Sequence, residues 1–493
     1  MVPEKCGEAY GFGLLNWMVL GLYFLAMLGM GLFFMRREKG GNDFFRGGGR
    51  IPWWAAGISI YATMLSAVTY MTIPAKAYAT DWTYYPILAM ILPASYLIIK
   101  YYLPHFRRQN VTSAYEYLER RFNLSTRLLA SGLFIVFMVA RMALVLYLPS
   151  LALTTVTGID IRTCILLMGG VTIVYCTLGG MEAVVWSDVV QGIILVGGAF
   201  FSAWYLFANT EGGFQGAWEI AVSDDKMRLF DWSLDYRSAT FWVAIIGGLA
   251  NSLISGTGDQ TVIQRYMTVK DEKSARKSIV TNAVMCVGIN IVFYLIGTGL
   301  YTFYKTHPQA LGSQPGSIDA IFPFFMMTQM PQGVAGLLIA AIFAATMSTI
   351  SSNINSVSTM FCIDFWKRFR PQTSERQLLR VARRTCVTGG LIGVFIALMM
   401  TTWNILSLLD YFNTILGLLT SGLGGLFAMG VFLPRIHGRA ALIGFVTGTA
   451  STFFLQFYTD VSFFLFGAIG LTVSVATGWA LSFTSIDKCK TRK

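Results

Sequence analysis

An all-α polytopic membrane protein is what this sequence predicts, on three grounds. Asp, Glu, Lys and Arg make up 13% of the 493 residues, about half the ~25% usual in soluble domains. Thirteen stretches are free, or nearly free, of those four residue types. Each approaches or exceeds the ~20 residues that cross a bilayer as a helix. The basic residues, finally, collect in alternate loops, as the positive-inside bias requires.

The stretches are 9–35, 51–75, 82–99, 128–159 (broken by Arg141), 163–181, 189–210, 238–258, 278–304, 320–363, 385–409, 411–434, 440–459 and 461–486. The ninth is too long for one crossing. Its first part, Ala320 to Gln332, is expected outside as a short helix, with the crossing from about Gly333 to Trp366. No run of ~10 residues alternates apolar and polar as a barrel strand would. Loops 36–50, 100–127, 264–277, 364–384 and 435–439 and the tail 487–493 hold 29 of the 37 Lys and Arg. With the N-terminus outside, all of these face the cytoplasm. The loop 211–237 then lies outside, with three basic and six acidic residues. The first stretch lacks a basic start and a small-residue cleavage site, so it reads as a retained helix. Residues 113–122 (SAYEYLERRF) read as a short interfacial helix on the cytoplasmic side.

Composition excludes several classes. Hydrophobic residues reach 55% and mean hydropathy is +0.58; with only 13 Pro and 49 Gly, the chain is neither disordered nor fibrous. An ordinary cytosolic enzyme is excluded too. A net charge of +12 would suggest nucleic acid on a soluble chain, but here the charges sit in membrane-flanking loops, so no nucleic-acid partner is expected. The seven cysteines form no CxxC pair and read as small buried hydrophobes. His105, His307 and His437 are scattered, which argues against a histidine metal centre.

The segments divide into 1–50, with the first helix and a cytoplasmic loop; 51–210, with five crossings; the external loop 211–237; 238–434, with five more; and 435–493, with two helices and a basic tail. Five is odd, so a second copy of the five-helix unit would lie inverted. Both units open on an interrupted helix, with Gly57, Ser66, Thr69 and Pro74 in one and Gly247, Gly248 and Ser255–Gly258 in the other. Matched interruptions point to a midplane binding site, where freed carbonyls and N–H groups can hold an ion or solute. The plainer reading is helix packing, since glycine is common in membrane helices.

A few polar residues inside apolar runs carry the chemistry. Arg141 has thirteen uncharged residues before it and eighteen after. A guanidinium there costs at least ~2.5 kcal/mol unless it has a partner or a wet cavity. Its fork fits a substrate carboxylate bidentately; an internal acid or helix-end carbonyls would also satisfy it. Asp188 is a hard oxygen ligand suited to sodium, or a solvated residue near a membrane edge. At ~100° per residue, Ser348, Ser351, Ser352 and Asn355 share one helix face with Thr349 beside it. Such a face suits a hard cation or close helix packing. Lys76 and Asp81 read as interfacial, Asp259–Gln260 as gating groups at a break, and Asp410 as a turn residue.

At these residues the sequence resembles the sodium:solute symporter family, and within it the bacterial sialic acid symporters. The similar blocks are DFFRGGGRIPWWAAGISIYATMLSAVTYMTIPAKAY (43–78), TSAYEYLERRF (112–122), GGMEAVVWSDVVQG (179–192), QRY (264–266) and AAIFAATMSTISSNINS (340–356). The resemblance implies a leucine-transporter-like fold of two inverted five-helix repeats, with about thirteen transmembrane helices in all. It implies a first sodium site of the Ala62, Leu65 and Ala345 carbonyls with the Ser348 and Thr349 hydroxyls. It implies a second at Asp188, Ser348, Ser351 and Ser352. Substrate positions map to Arg141, Ser66, Thr69 and Tyr84. Leu88 stands where the branch has a glutamine, and Met64 where it has a threonine.

The expected function is therefore sodium-coupled import of an acidic sugar, a sialic acid, with two Na+ ions and no organic cofactor. The setting is a bacterial inner membrane, with the N-terminus outside, the C-terminus cytoplasmic and the protein monomeric in the bilayer. Leu88 and Met64 favour a rival in the same class, a symporter for a smaller carboxylate such as an amino acid or organic acid. An enzyme would need a His, Asp or Cys constellation, and a receptor an appended signalling domain; neither is visible. A passive channel leaves Arg141 and the paired interruptions unexplained.

Overall fold

Helix interruptions organise this structure, a computed structural model describing residues 12–36, 40–109, 111–311, 317–402 and 421–483. Among the described residues ten helices are long and apolar enough to cross a membrane, or eleven if one bent pair counts as a span. Two of the thirteen apolar stretches of the sequence are not counted as separate spans there. The stretches 163–181 and 189–210 both fall within Ile161–Asn209, which is two helices joined at a kink. Its 49 residues would extend ~74 Å at 1.5 Å each, more than twice a ~30 Å hydrocarbon core. Gly180 interrupts it with φ 50° and ψ −148°, a conformation open to glycine because no Cβ stands in the way. Of the eleventh stretch, 411–434, the described part begins at 421 and forms the apolar helix Ser421–Phe432. Asp410 lies outside the described residues.

The bent pair is Trp53–Met64 and Ala67–Ala79, turned by 67°. Leu65 leaves the helical region (ψ 97°) and Ser66 is extended (ψ 161°). Ser66 then restarts the helix, its hydroxyl accepting from Thr69 N at 3.3 Å, which satisfies one of the donors every helix start exposes. The second interruption falls at Asp259, between Phe241–Gly258 and Gln260–Tyr266. Asp259 is extended (φ −85°, ψ 113°) and caps the following helix through Thr261 N at 2.7 Å.

The hydroxyl-bearing helix Val334–Met360 sits at the centre, and the apolar window of its span is 89% buried. A helix hydrophobic on all sides belongs in the middle of a bundle. The arginine helix Leu124–Thr157, the long Ile161–Asn209 and the broken helix pack on it. A short helix, Ile321–Gln329, precedes it, and the chain turns at Gly333 (φ 87°) before the crossing begins.

The segment read as an interfacial helix is more deeply engaged than that. In Ala114–Arg121, Ala114, Tyr115, Tyr117 and Leu118 are buried. Tyr115 Oη donates to the Gly258 carbonyl at 3.1 Å, and Ala114 N to Gln260 Oε1 at 2.8 Å. Gln260 is thus a fastener for this helix. Arg127 joins the same region, contacting Asp364 Oδ1 at 2.7 Å and Glu119 Oε2 at 2.6 Å. At the far end of the bundle the loop after Gly213–Ser223 grips the broken helix. Lys226 donates to the Tyr78 and Thr80 carbonyls, both at 2.9 Å, and Arg228 pairs with Asp81 at 2.8 Å. Asp81, expected at an interface, is a buried acceptor because Arg228 covers it. Lys76 lies 4.5 Å from the Tyr84 ring centre.

Candidate binding cavity and oxygen cluster

Two features share the broken helix. On one side lies a cavity of about 420 Å³, within the range of small-molecule sites. Arg141, Thr69, Leu88 and Met64 line it, as the sequence suggests, together with Asn251 and Ser255. Two polar atoms on its wall, Tyr61 Oη and Asn290 Oδ1, are buried with no protein partner. Arg141 is partly buried and meets Asp259 Oδ2 at 3.4 Å. Asp259 also lines the cavity, so the arginine faces both an internal acid and the open space. The other Asp259 oxygen accepts from the Thr261 hydroxyl at 2.6 Å.

Two expected substrate contacts are placed differently. Ser66 is not among the lining residues; its hydroxyl takes part in the helix cap and sits 3.1 Å from Thr69 Oγ1. Tyr84 stands one layer back, its ring edge-on to Phe464, which does line the cavity. Asn251, Ser252 and Asn290 were not foreseen as lining residues, while Ser255 lies in the interruption already flagged as part of a binding site. The i, i+4 spacing of Asn251 and Ser255 in an apolar segment is a signal that could have found Asn251.

On the other side of the broken helix lies a cluster of oxygens. Ser348 Oγ is 2.9 Å from the Ala62 carbonyl and 3.1 Å from that of Ala345. Thr349 Oγ1 is 3.2 Å from the Ala345 carbonyl and 3.4 Å from that of Thr63. Leu65, the fifth expected member, is where the backbone leaves the helix. Among the described residues no group of three or more His, Cys, Asp or Glu could hold a metal. The cluster is instead built from neutral oxygen, the donor type hard monovalent and divalent cations prefer.

One turn further on, Ser352 Oγ meets Thr63 Oγ1 at 2.8 Å. Asp188 Oδ2 accepts from Ser59 Oγ at 2.5 Å and lies 3.5 Å from Thr63 Oγ1. Asp188 is wholly buried rather than at a membrane edge. The structure brings Asp188 and Ser352 together through Arg265, which contacts them at 2.8 and 2.5 Å. Ser351 Oγ turns to the Ser348 carbonyl at 3.0 Å. Sequence reasoning missed Arg265 because it ends a short helix just beyond an apolar run, among other basic residues, where a loop role is the ordinary reading.

Broken spanning helices, a midplane cavity bearing a cation and an adjoining oxygen cluster define an ion-coupled secondary transporter. The chain belongs to the sodium:solute symporter family, whose model matches residues 44–448. It is similar to the sodium/sialic acid symporter NanT of Aliivibrio fischeri, at 38% identity over 96% of this chain and 94% of that one. A solved Na+-coupled sialic acid symporter, in a substrate-bound outward-open state, matches with a TM-score of 0.90 and 36% identity over 96% of this chain and 98% of that one. The nucleobase-cation-symport-1 family transporter Mhp1, in a closed conformation, matches in fold with a TM-score of 0.59 at 14% identity, over 89% of this chain and 96% of that one. The fold is thus the leucine-transporter-like one expected.

Proposed function

We propose that this protein is a sodium-coupled symporter that imports an acidic sugar, a sialic acid such as N-acetylneuraminate, into a bacterial cell. The observation that carries the reading is Arg141 on the wall of a cavity, one helix away from the Ala62–Ser348 oxygen cluster. The relatives named above support the sugar. The substrate carboxylate binds the Arg141 fork, displacing Asp259. Thr69, Asn251, Ser255, Tyr61 and Asn290 offer hydrogen bonds to sugar hydroxyls. One sodium sits among the carbonyls of Ala62, Leu65 and Ala345 and the hydroxyls of Ser348 and Thr349. A second uses Asp188, Ser348, Ser351 and Ser352.

The bundle then rocks about the loaded site and the cargo leaves inward. The N-terminus lies outside and the C-terminus in the cytoplasm, and a single chain suffices. Two ions with a monoanion move one net charge, worth ~2.3 kcal/mol at 100 mV. A tenfold sodium gradient adds ~1.4 kcal/mol per ion. Their sum supports accumulation of several thousandfold, whereas one ion would give only about tenfold.

Uptake of labelled N-acetylneuraminate into proteoliposomes, with and without an inward sodium gradient, tests this. Uptake only with the gradient is expected. An active preparation that takes up none of it would favour the second reading, a smaller carboxylate. The apolar wall formed by Met64, Ile87, Leu88 and Ile91 is the observation that favours that reading.

A further inference from the structure

Arg265 is among the largest fully buried side chains in the protein, at 1% exposure. Its guanidinium makes four hydrogen bonds from its five N–H donors. Nε donates to Ser59 Oγ at 2.6 Å, Nη1 to the Thr261 carbonyl at 2.5 Å, and Nη2 to both Asp188 Oδ2 at 2.8 Å and Ser352 Oγ at 2.5 Å. These acceptors come from the broken helix, the long helix, the central helix and Arg265's own helix. Asp188 is not saturated in return. Its Oδ1 is buried with no protein partner, while Oδ2 takes Ser59, Thr63 and Arg265. A purely structural ion pair in an apolar interior is stable when both partners are fully satisfied. This one leaves a carboxylate oxygen open beside two hydroxyls.

Two of the four oxygens that hold the guanidinium are also ones a second sodium would need. Asp188 and Ser352 belong to both sets, and Ser352 lies one turn from Ser348 in the first cluster. Two monovalent cations a few ångströms apart in a buried site repel strongly, since little solvent screens them. A sodium between Asp188 and Ser352 and a guanidinium in the same place therefore exclude one another.

We propose that Arg265 is a tethered competitor for the second sodium position. It holds Asp188 and Ser352 while that position is free of sodium, and it withdraws when the ion binds. It is a positioning residue that sets the affinity of the second ion. It also reaches the substrate cavity, because Thr261, whose carbonyl it holds, bonds Asp259, the partner of Arg141. The proposal rests on the sodium reading above.

The test is sodium binding by the full-length, substrate-free protein in lipid nanodiscs, with radioactive sodium as the probe. In Arg265→Gln, the second binding phase should tighten at least tenfold, and adding Asp188→Asn should abolish the gain. Lysine has fewer donors and no fork, so Arg265→Lys should tighten it two- to threefold, which covers the case where the glutamine variant does not fold. A merely structural arginine predicts unchanged or weaker binding in whichever variant folds, and that result overturns the proposal. Ser348→Ala, measured in parallel, separates the two readings. Sodium binding that needs Ser348 but ignores Arg265 overturns the competition alone. No sodium binding by the unmodified protein overturns both.

Discussion

Arg141 and Asp259 form an ion pair at 3.4 Å across the wall of the central cavity. The pair is long, and Asp259 divides its two oxygens between Arg141 and the Thr261 cap. The acid therefore holds the arginine in place without saturating its fork, and a substrate carboxylate can take over. Asparagine at 259 keeps an oxygen for the cap but loses the competing charge. Asp259→Asn should tighten acidic-sugar binding about fivefold, the scale of a partly exposed pair worth ~1 kcal/mol. Arg141→Ala should abolish that binding while sodium still binds. Titration calorimetry with N-acetylneuraminate reads both; normal binding by Arg141→Ala would make the arginine structural.

Ser348 Oγ touches carbonyls from two helices. Alanine removes an oxygen from the first ion position and leaves the Ala62 carbonyl without that partner in a buried place. A buried acceptor left unsatisfied costs ~1–3 kcal/mol. Ser348→Ala should raise the sodium concentration for half-maximal uptake at least tenfold, with the substrate dependence at saturating sodium nearly unchanged.

Glu119, on the short helix outside the spans, is the group whose titration is clearest. Burial alone would raise it, but hydrogen bonds from Arg127 and Arg368 outweigh that and hold it below the ordinary 4.5. A depressed carboxyl contributes stability above its unfolded value and loses it as the pH falls through the folded one. Glu116 nearby is shifted the other way, upward by burial, so the Glu119 share must be isolated by substitution. Thermal unfolding of the purified protein should lose stability below pH ~4.5, and Glu119→Gln should flatten that loss. An identical acid limb in the variant would remove Glu119 as a contributor.

Gly57 lies where the broken helix packs closely against Glu272–Thr306. A Cβ there would lie 2.6 Å from Thr281 Cβ and 2.9 Å from the Ser278 carbonyl. Backbone cannot yield as a side-chain tip can, and overpacking costs ~1–3 kcal/mol. Gly57→Val should lower the unfolding midpoint by several degrees. Gly288, on the facing helix and with nothing near its Cβ position, gives a control for the space argument.

Much of this architecture was legible along the chain. The apolar runs mark the spans, since a bilayer demands a fixed helix length without charge. Arg141 announced a cavity, because an arginine mid-membrane needs one or a partner. The hydroxyl face 348–355 was visible as a helical period, and the Ala62–Ser348 contact came from the resemblance. The Gly180 junction was harder to see, because a glycine within an apolar stretch reads the same whether the helix runs on or turns.

By itself, then, the sequence determined the membrane class, the order of spans, the interrupted helices and the residue types near the midplane. Each of those follows from local periodicity or from the cost of placing charge in hydrocarbon. Only the tertiary structure decided the pairings. Arg141 meets Asp259 across 118 residues of chain and Arg265 meets Asp188 across 77. The physical reason is that a buried cation takes whichever acceptor the packing delivers. Ser66 as a cap and Tyr84 behind Phe464 follow the same rule, since a helix start claims the nearest hydroxyl and a ring goes where the neighbouring helix leaves room.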